Sequence, residues 1–393
     1  MTTINSEKLE SFNLLIIDPQ NDFTLEDGGL SVPGAIADAR RLVKFMQEKK
    51  DSVNKIFVSL DTHTEKHIGH QKFWKKVNKS GEDIKDDKSG LAIHPDFYTI
   101  FDTSPTLQKI QDKNGELYSP VNDSLYDYAR DYIKSFATKD AEGNNVPNEK
   151  GVPLIWPTHC IEGTWGHKIY EPLESLLLKD DFSGKTSYYI KGQNELVEMY
   201  SIFKGEYNNT DNKTSYEGDM KANNSIDGKF DYVTLYQNTE INKLPEKEKL
   251  KSMAPYLNTQ FNRNGLFNEL TKDGSPIYIA GEALSHCVNW SLRDLVNNIK
   301  TEKLDNYVDD EGKIISNKIF LIKNASSAIG GFEDNVTNLL AFCESNNVQP
   351  VDIDEAAASI TGGNRRRTRK SGKKRKNKSY KKNRRSRGKK SRK

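Results

Sequence analysis

The sequence predicts an α/β protein with a doubly wound, mainly parallel β-sheet flanked by helices. Three observations predict this fold. Short apolar runs without polar alternation recur along the chain, as in strands that are covered on both faces. Helix-like patterns such as residues 35–47 and 288–298 lie between some of these runs, and such alternation implies parallel crossovers. Polar residues follow most of the runs, at the sheet edge where folds of this class bind ligands.

The predicted strands end in chemically competent residues. Asp18 follows the first strand, Asp61 the second and Lys191 the third, and Gly281-Glu282-Ala283 follows the fourth. One polar strand end is common in any sheet, but four in five strands favour a functional site at this edge. The five predicted strands are residues 12–17, 55–60, 187–190, 277–280 and 319–322.

The domain organisation follows from shifts in composition. Residues 1–355 are predicted to form one domain, with polar, turn-rich insertions at about 71–150 and 205–260. The first insertion has a weak helical patch at 125–136. We expect both insertions to be surface segments or lids, since neither has enough apolar residues for a core of its own. Residues 356–393 are predicted to be a disordered basic tail.

The net charge of +3 conceals two regions of opposite charge. Residues 364–393 hold 19 Lys or Arg and no acidic residue, so the first 363 residues carry 40 basic and 56 acidic residues, a net charge of −16. A tail of this composition cannot bury apolar surface. It would bind nucleic acid or another polyanion without sequence specificity, or act as a nuclear address. A solubilising tail with no partner is the alternative.

Compartment is predicted from cysteine usage and apolar patterning. Three cysteines without a framework spacing are typical of a reducing environment. The first ten residues lack the features of a signal peptide, and no apolar stretch is long enough to span a bilayer. We therefore expect a cytoplasmic, intracellular protein that does not contact membranes.

Five of the seven histidines lie in the two short segments 61–70 and 156–168. Asp61 and His63 are two residues apart at a strand end, so both side chains point to the same side. With a third ligand such as His159 they would form a carboxylate–imidazole set that suits one divalent Zn, Fe or Mn ion. The spacing is not specific, and a run of surface polar residues is the alternative.

Cys287 is the best candidate nucleophile. It begins a predicted helix after a glycine-containing turn, where the helix N-terminus stabilises a thiolate and backbone N–H groups can bind an oxyanion. A buried core cysteine is the alternative. Cys160 and Cys343 fit that alternative better, although His159 beside Cys160 keeps it in consideration.

Seven segments resemble the isochorismatase-like cysteine hydrolases, and within them the nicotinamidases. They occur in the order found in that family and cover most of the chain outside the insertions and the tail. The segments are LLIIDPQNDF (14–23), GGLSVPGA (28–35), SLDTHTEKHI (59–68), WPTHCIEGTWG (156–166), IKGQNELVEMYSIF (190–203), IAGEALSHCV (279–288) and LIKNASSAIGGF (321–332).

The resemblance implies a catalytic role for residues at the predicted strand ends. Cys287 matches the nucleophile, Asp18 the acid/base that accepts the thiol proton, and Lys191 the lysine that completes the triad. A cis peptide bond at Glu282–Ala283 is also implied. It would direct the N–H of Ala283, together with that of Cys287, toward the oxyanion.

The resemblance also implies a metal site. Asp61, His63 and His159 match the metal ligands of nicotinamidases. His67 falls where some members have another ligand or a residue that supports the ligands. Glu198 matches an acidic residue near that metal. The resemblance thus implies one divalent transition metal as cofactor.

The implied pocket has both matches and departures. Phe23 and Trp156 match aromatic walls around a substrate ring. Gln193, Glu282 and His286 replace residues that are usually apolar or aromatic in the family. These departures affect the choice of substrate rather than the triad.

The sequence thus predicts an amide hydrolase that converts nicotinamide and water to nicotinate and ammonia through a cysteine thioester. Two alternatives remain open. One is a cysteine hydrolase of another small amide or ureide. The other is a catalytically inactive scaffold that its tail brings to nucleic acid. The resemblance also makes a homo-oligomer an expectation.

Overall fold

The structure of the chain, a computed structural model, describes residues 9–104, 106–139, 145–147, 151–206, 229–230 and 263–360. The strongly basic run 364–393 lies outside the described residues, and so does most of the predicted insertion 205–260.

All five predicted strands form, with ends that differ from the prediction by at most two residues. The structure adds two small antiparallel ribbons and a further strand at each edge of the main sheet. The strands in the described part of the chain are β1 (Phe12–Ile17), β2 (Val53–Asp61), β3 (Trp74–Val77), β4 (Leu117–Pro120), β5 (Ala137–Lys139), β6 (Asn145–Pro147), β7 (Thr186–Lys191), β8 (Lys229–Phe230), β9 (Ile277–Gly281), β10 (Ile319–Ile322) and β11 (Gln349–Val351).

The main sheet has the strand order β11-β10-β9-β1-β2-β7-β8. Every neighbouring pair is parallel except β7 and β8. The chain first builds outward from β1 through β2 to β7, and then returns to place β9 on the other side of β1. The strand order therefore switches between β1 and β9, the position at which doubly wound sheets bind ligands beyond the carboxyl ends of their strands.

Helices cover both faces of this sheet, which confirms the predicted α/β class. The strands are apolar on both faces: Leu15 and Ile17 pack in one hydrophobic cluster, and Leu14 and Ile16 in the other. The α-helices of the described residues are α1 (Asn21–Thr24), α2 (Ala35–Glu48), α3 (Tyr126–Lys134), α4 (Glu171–Leu177), α5 (Asp180–Ser183), α6 (Arg263–Thr271), α7 (Cys287–Glu302), α8 (Glu333–Ser345) and α9 (Ile353–Ser359).

The described part of the first insertion supplies most of a third hydrophobic cluster, to which Ile68 and Ile155 from the flanking segments also belong. This is contrary to the sequence prediction. Trp74 from β3, Phe101 and Tyr118 pack together with Tyr132 and Ile133 of α3, and all five side chains are buried. The prediction was wrong because it counted apolar residues. A few aromatic side chains, which bury roughly 150–250 Å² each, can build a small core within a polar composition.

The predicted start of the tail at residue 356 was also wrong. Residues 356–359 belong to α9, whose Ala356 is buried, and Ile360 is buried immediately after it. A capping box of Asp352 and Glu355 begins this helix, and such a box satisfies two backbone N–H groups. The folded part of the chain therefore extends at least to residue 360. Across the described ranges, we find no helix with the length and apolarity that a transmembrane segment requires.

Candidate active site

The carboxyl ends of the central strands bring the predicted site residues together. Asp61 and Lys191 are the last residues of β2 and β7 and are direct neighbours in the parallel register. Asp18 follows β1 with a φ of 43°, a left-handed conformation that a non-glycine residue adopts at a cost and that is common at functional sites. Cys287 begins α7, which follows β9.

One ammonium group lies at the centre of the cluster. The Lys191 Nζ is 3.0 Å from Asp18 Oδ2, 3.0 Å from Asp61 Oδ1 and 3.5 Å from Cys287 Sγ. It also donates a hydrogen bond of 2.7 Å to the Met199 carbonyl. All of these side chains are buried. Two buried carboxylates and a thiol therefore share one cation, which partly offsets the cost of removing the carboxylates from water.

The protonation states of the cluster follow from burial and charge. Burial raises the pKa of Asp18, and the opposing effect of Lys191 does not fully offset it. Burial likewise raises the pKa of Cys287 well above its usual range. Burial would lower the pKa of Lys191, but Asp18 and Asp61 together keep it well above the usual value. The resting state therefore pairs a neutral thiol with a carboxyl group of elevated basicity and a lysine cation.

Cys287 lies in a turn that leaves backbone donors free. Within the described residues, the N–H groups of Ala283 and Cys287 form no hydrogen bond, while the carbonyl of Ala283 accepts from His286 and Val288. The peptide bond Glu282–Ala283 is cis, as the resemblance implied. Two unpaired N–H groups close to the thiol are the arrangement that an oxyanion hole requires.

Four histidines form a compact cluster beside Asp61. The ring centroids of His63, His70 and His159 are each 5.1 Å from one another. In each of these three rings, Nδ1 lies within hydrogen-bond distance of a backbone carbonyl. The distances are 3.0 Å from His63 to Gly192, 3.1 Å from His70 to Thr64 and 2.7 Å from His159 to Pro157. Because a carbonyl only accepts, Nδ1 carries the proton, and Nε2 presents its lone pair.

The donor set fits a cation. The lone pair of His63 Nε2 lies 3.0 Å from Asp61 Oδ2, and His159 Nε2 lies 3.5 Å from the same oxygen. The buried Nε2 atoms of His63 and His70 form no hydrogen bond with any described residue. Lone pairs held this close repel each other unless a proton or a metal lies between them. The Asp61 carboxylate does raise the pKa of His63 despite its burial.

Gly192 keeps the space beside these ligands open. Its φ of 77° favours glycine, and a Cβ atom there would lie 2.6 Å from His63 Cε1 and 2.8 Å from Asp61 Oδ1. Any other residue at this position would displace the His63 ring or the Asp61 carboxylate.

His67 is placed differently from the other three histidines. Its Nε2 donates to the Val197 carbonyl at 3.0 Å, and its Nδ1 accepts from the Gly69 N–H at 3.1 Å. Both ring nitrogens are therefore used within the protein. Glu198 lies 4.0 Å from His67 Nδ1 and also borders the cavity in front of Cys287.

A small, largely apolar cavity lies between the thiol and the histidine cluster. The predicted walls Phe23 and Trp156 both border it. Phe23 packs against His159 with a centroid distance of 5.3 Å, and Trp156 donates to the Tyr200 hydroxyl at 3.1 Å. The residues that line the cavity are Phe23, Leu30, Asp61, Trp156, His159, Glu198, Tyr200, Ala283, His286, Cys287 and Ile329.

Sequence reasoning missed three residues of the site. Ser59 donates to Asp18 Oδ1 at 2.6 Å and accepts from the Asp18 N–H, which leaves Oδ2 toward Lys191. Gln20 binds the backbone of Asp61 in both directions at 2.7 Å. His70 belongs to the histidine cluster. Ser59 could have been found, because it precedes Asp61 by two residues on the same strand and so shares its side of the sheet.

The other two cysteines are core residues. Cys160 and Cys343 are fully buried and pack in the same large hydrophobic cluster. The backbone N–H of Cys160 donates to Asp22 Oδ2 at 2.6 Å. Burial raises the pKa of Cys160 well above its usual range, and that of Cys343 to about 12. Among the described contacts, neither thiol forms a hydrogen bond with a lysine, whereas the thiol of Cys287 does.

Comparison with known proteins gives similar structures but no match in sequence. No family model and no curated protein matches the chain. The yeast nicotinamidase is similar, with 16% identity, coverage of 86% of this chain and 99% of that one, and a TM-score of 0.44. A nicotinamidase from Acinetobacter baumanii is also similar, with 14% identity, coverage of 89% of this chain and 100% of that one, and a TM-score of 0.43. The zinc complex of the pyrazinamidase from Pyrococcus horikoshii has 14% identity, coverage of 86% of this chain and 98% of that one, and a TM-score of 0.37.

Proposed function

We propose that this protein is a cysteine-dependent hydrolase of a small amide. One observation carries the proposal: a thiol, a carboxyl group of raised pKa and a lysine cation meet beside two unpaired backbone N–H groups. A nucleophile, its base, the group that orients both and the donors for an oxyanion are the components of acyl transfer. A scaffold without catalysis would not need to bury three ionisable groups at one point.

The chain's own residues can perform the first half of the reaction. Asp18 takes the proton of Cys287, and Lys191 stabilises the thiolate at 3.5 Å. The thiolate attacks the amide carbon, a C–S bond forms, and the carbonyl electron pair moves to oxygen, where the N–H groups of Ala283 and Cys287 bind it. Asp18 returns its proton to the leaving nitrogen. The C–N bond breaks, and ammonia leaves a thioester on Cys287.

The second half reverses these roles. Asp18, again a carboxylate, accepts a proton from water as the water oxygen attacks the thioester carbon. The same two N–H groups bind the oxyanion. The C–S bond then breaks, the carboxylic acid leaves, and the proton on Asp18 returns to Cys287. A carboxyl group with a raised pKa suits both directions, because a general acid–base works best when its pKa approaches the working pH.

We propose that Asp61, His63 and His159 hold one divalent transition metal and that His70 is a fourth ligand. The free Nε2 lone pairs, the carboxylate among them and the space above Gly192 support this set. Imidazole and carboxylate donors suit Zn, Fe or Mn. The bound metal would supply a Lewis-acid contact for a ring nitrogen of the substrate. His67, whose nitrogens are both in hydrogen bonds, supports the cluster rather than binding the metal.

Two matched substitutions test this assignment. We expect purified protein to hold close to one transition metal per chain and His63→Ala to lose it. His70→Gln should lower metal affinity about 10–100-fold, and His67→Gln by much less. Elemental analysis and titration against a chelator give the occupancy and the affinity without any need for turnover. Equal losses in the two glutamine variants would contradict the role of His70.

Nicotinamide is the substrate that we propose for this site. Phe23 and Trp156 can flank a planar ring, and His159 of the histidine cluster borders the same cavity as Cys287. Nicotinamide offers an amide carbon to Cys287 and, meta to the amide, a ring nitrogen that the metal could bind. Assay of ammonia release from a panel of small amides, with and without added metal, tests the reaction class. Lack of ammonia from every member would favour the scaffold alternative.

The basic run 364–393 supports a separate localising role, which we propose from its charge alone. Truncation after Gly363 should preserve turnover of a small amide, because all described site residues precede it. The truncation should also abolish salt-sensitive binding to DNA or RNA, since counterion release drives such binding. Filter binding across a salt series, with the full chain as control, measures this. Undiminished binding after truncation would place the contact on the acidic body.

A further inference from the structure

The oxyanion turn, residues 282–287, is bound to a second segment, residues 326–332, which we call the backing segment. The Leu284 N–H donates to the Ser327 carbonyl at 2.7 Å. In return, the Ser327 N–H donates to Glu282 Oε2 at 3.0 Å. The Ile329 N–H donates to Ser285 Oγ at 3.1 Å. Two of these three bonds use side chains of the turn, and the bonds to Ser327 bracket Ala283.

The backing segment is itself fixed to helix α2. The Ser327 hydroxyl donates to Asp38 Oδ2, and Arg41 pairs with the other oxygen of Asp38. Arg41 Nε also donates to the Asn324 carbonyl at 2.6 Å. Ser327 is therefore held in place by α2. A side chain that binds the Ser327 backbone in turn restrains the oxyanion turn.

Glu282 has no direct part in the proposed chemistry. It is buried, yet it does not border the cavity in front of Cys287. Burial, together with the Asp38 carboxylate, raises its pKa well above the usual range, which favours the neutral acid. Burial of an ionisable side chain costs free energy, so we expect Glu282 to make an interaction that an apolar residue cannot make. The hydrogen bond from the Ser327 N–H is that interaction.

We propose that Glu282 is a positioning residue that clamps the oxyanion turn onto the backing segment and so aims the Ala283 N–H at the developing oxyanion. The proposal rests on the proposed amide hydrolysis. Donors stabilise an oxyanion only when they lie about 2.7–3.1 Å from the position that it will occupy, and the effect appears in the transition state rather than in substrate binding. Loss of the clamp should therefore lower kcat and leave KM nearly unchanged.

Three substitutions at Glu282 and one control test the clamp. Glu282→Leu removes the acceptor, Glu282→Gln keeps a neutral acceptor of the same length, and Glu282→Asp shortens the reach by one methylene. Glu333 provides the matched control, because it is exposed and its carboxylate accepts from a backbone N–H of the same segment, that of Gly331 at 3.1 Å. Glu333→Leu removes that acceptor outside the site.

We expect Glu282→Leu to lower kcat for nicotinamide about 10²-fold, with KM changed less than about threefold. Binding of an aryl aldehyde, whose tetrahedral adduct with the thiolate needs the oxyanion donors, should weaken by a similar factor, while binding of the aryl carboxylate product should not. Glu282→Gln should recover kcat to within about threefold of wild type, and Glu333→Leu should match wild type. If Glu282→Leu does not fold, Glu282→Asp should show at least a tenfold loss of kcat.

Hydrogen exchange of the backbone amides provides a readout without substrate. Exchange at Leu284 and Ser327 should accelerate in Glu282→Leu and not in Glu282→Gln or Glu333→Leu. If the wild-type protein turned over no amide while the variants still showed this exchange pattern, the proposed function would be overturned and the clamp would stand. A Glu282→Leu enzyme with wild-type kcat and wild-type exchange would overturn the clamp alone.

Discussion

Replacement of Cys287 by alanine is expected to lower amide hydrolysis by about 10⁴-fold or more. Thiolate attack forms the only covalent bond between enzyme and substrate in the proposed reaction, and among the described contacts Cys287 is the only cysteine with a hydrogen bond to Lys191. The variant should retain its fold, because the thiol contributes one long contact to Lys191 at 3.5 Å and an alanine methyl leaves only a small void. Steady-state rates of ammonia release and a thermal unfolding curve measure the two effects.

Cys160 and Cys343 provide the controls for this substitution. Both are buried in the core, so replacement by alanine should lower the free energy of unfolding by about 1 kcal/mol or more through lost packing. The rate per folded molecule should stay close to that of the wild type. An inactive Cys160→Ala enzyme beside an active Cys287→Ala enzyme would contradict the assignment of the nucleophile.

The sequence predicted the sheet well because its strands are buried on both faces. Continuous apolar runs such as residues 12–17 and 319–322 are unambiguous when turns and helices separate them. Strand β11, with the sequence Gln-Pro-Val, escaped prediction because it lies at the sheet edge and is too short to show a pattern. The hydrophobic cluster of the first insertion escaped for a different reason: its aromatic residues are scattered along the chain, and only the fold brings them together.

The site was predictable where residues share a strand end, and less so elsewhere. Asp18, Asp61 and Lys191 each end or follow a parallel strand, so the fold class alone places them at one edge. His70 was not predicted as a ligand, because the path of residues 64–70 decides which ring faces the cluster. A hydrogen bond from His70 Nδ1 to the Thr64 carbonyl turns its Nε2 inward, while His67 binds the backbone with both nitrogens. Such orientation depends on tertiary contacts that spacing does not encode.

The largest expected difference between substrates concerns the ring nitrogen. We expect kcat/KM for nicotinamide to exceed that for benzamide by about 10³-fold or more, because a site built to hold a polar ring atom rejects an analogue that lacks it. Pyrazinamide, which keeps a nitrogen in the equivalent position, should react at a rate closer to nicotinamide. In His63→Ala, the ratio of kcat/KM for nicotinamide to kcat/KM for benzamide should fall by a larger factor than kcat/KM for benzamide itself. His286 borders the cavity and replaces the apolar or aromatic residue that the resemblance implies, so a larger or more polar amide is the competing outcome. Equal kcat/KM for nicotinamide and benzamide would rule out recognition of the ring nitrogen, and with it nicotinamide as the substrate, even if Cys287 proved to be the nucleophile.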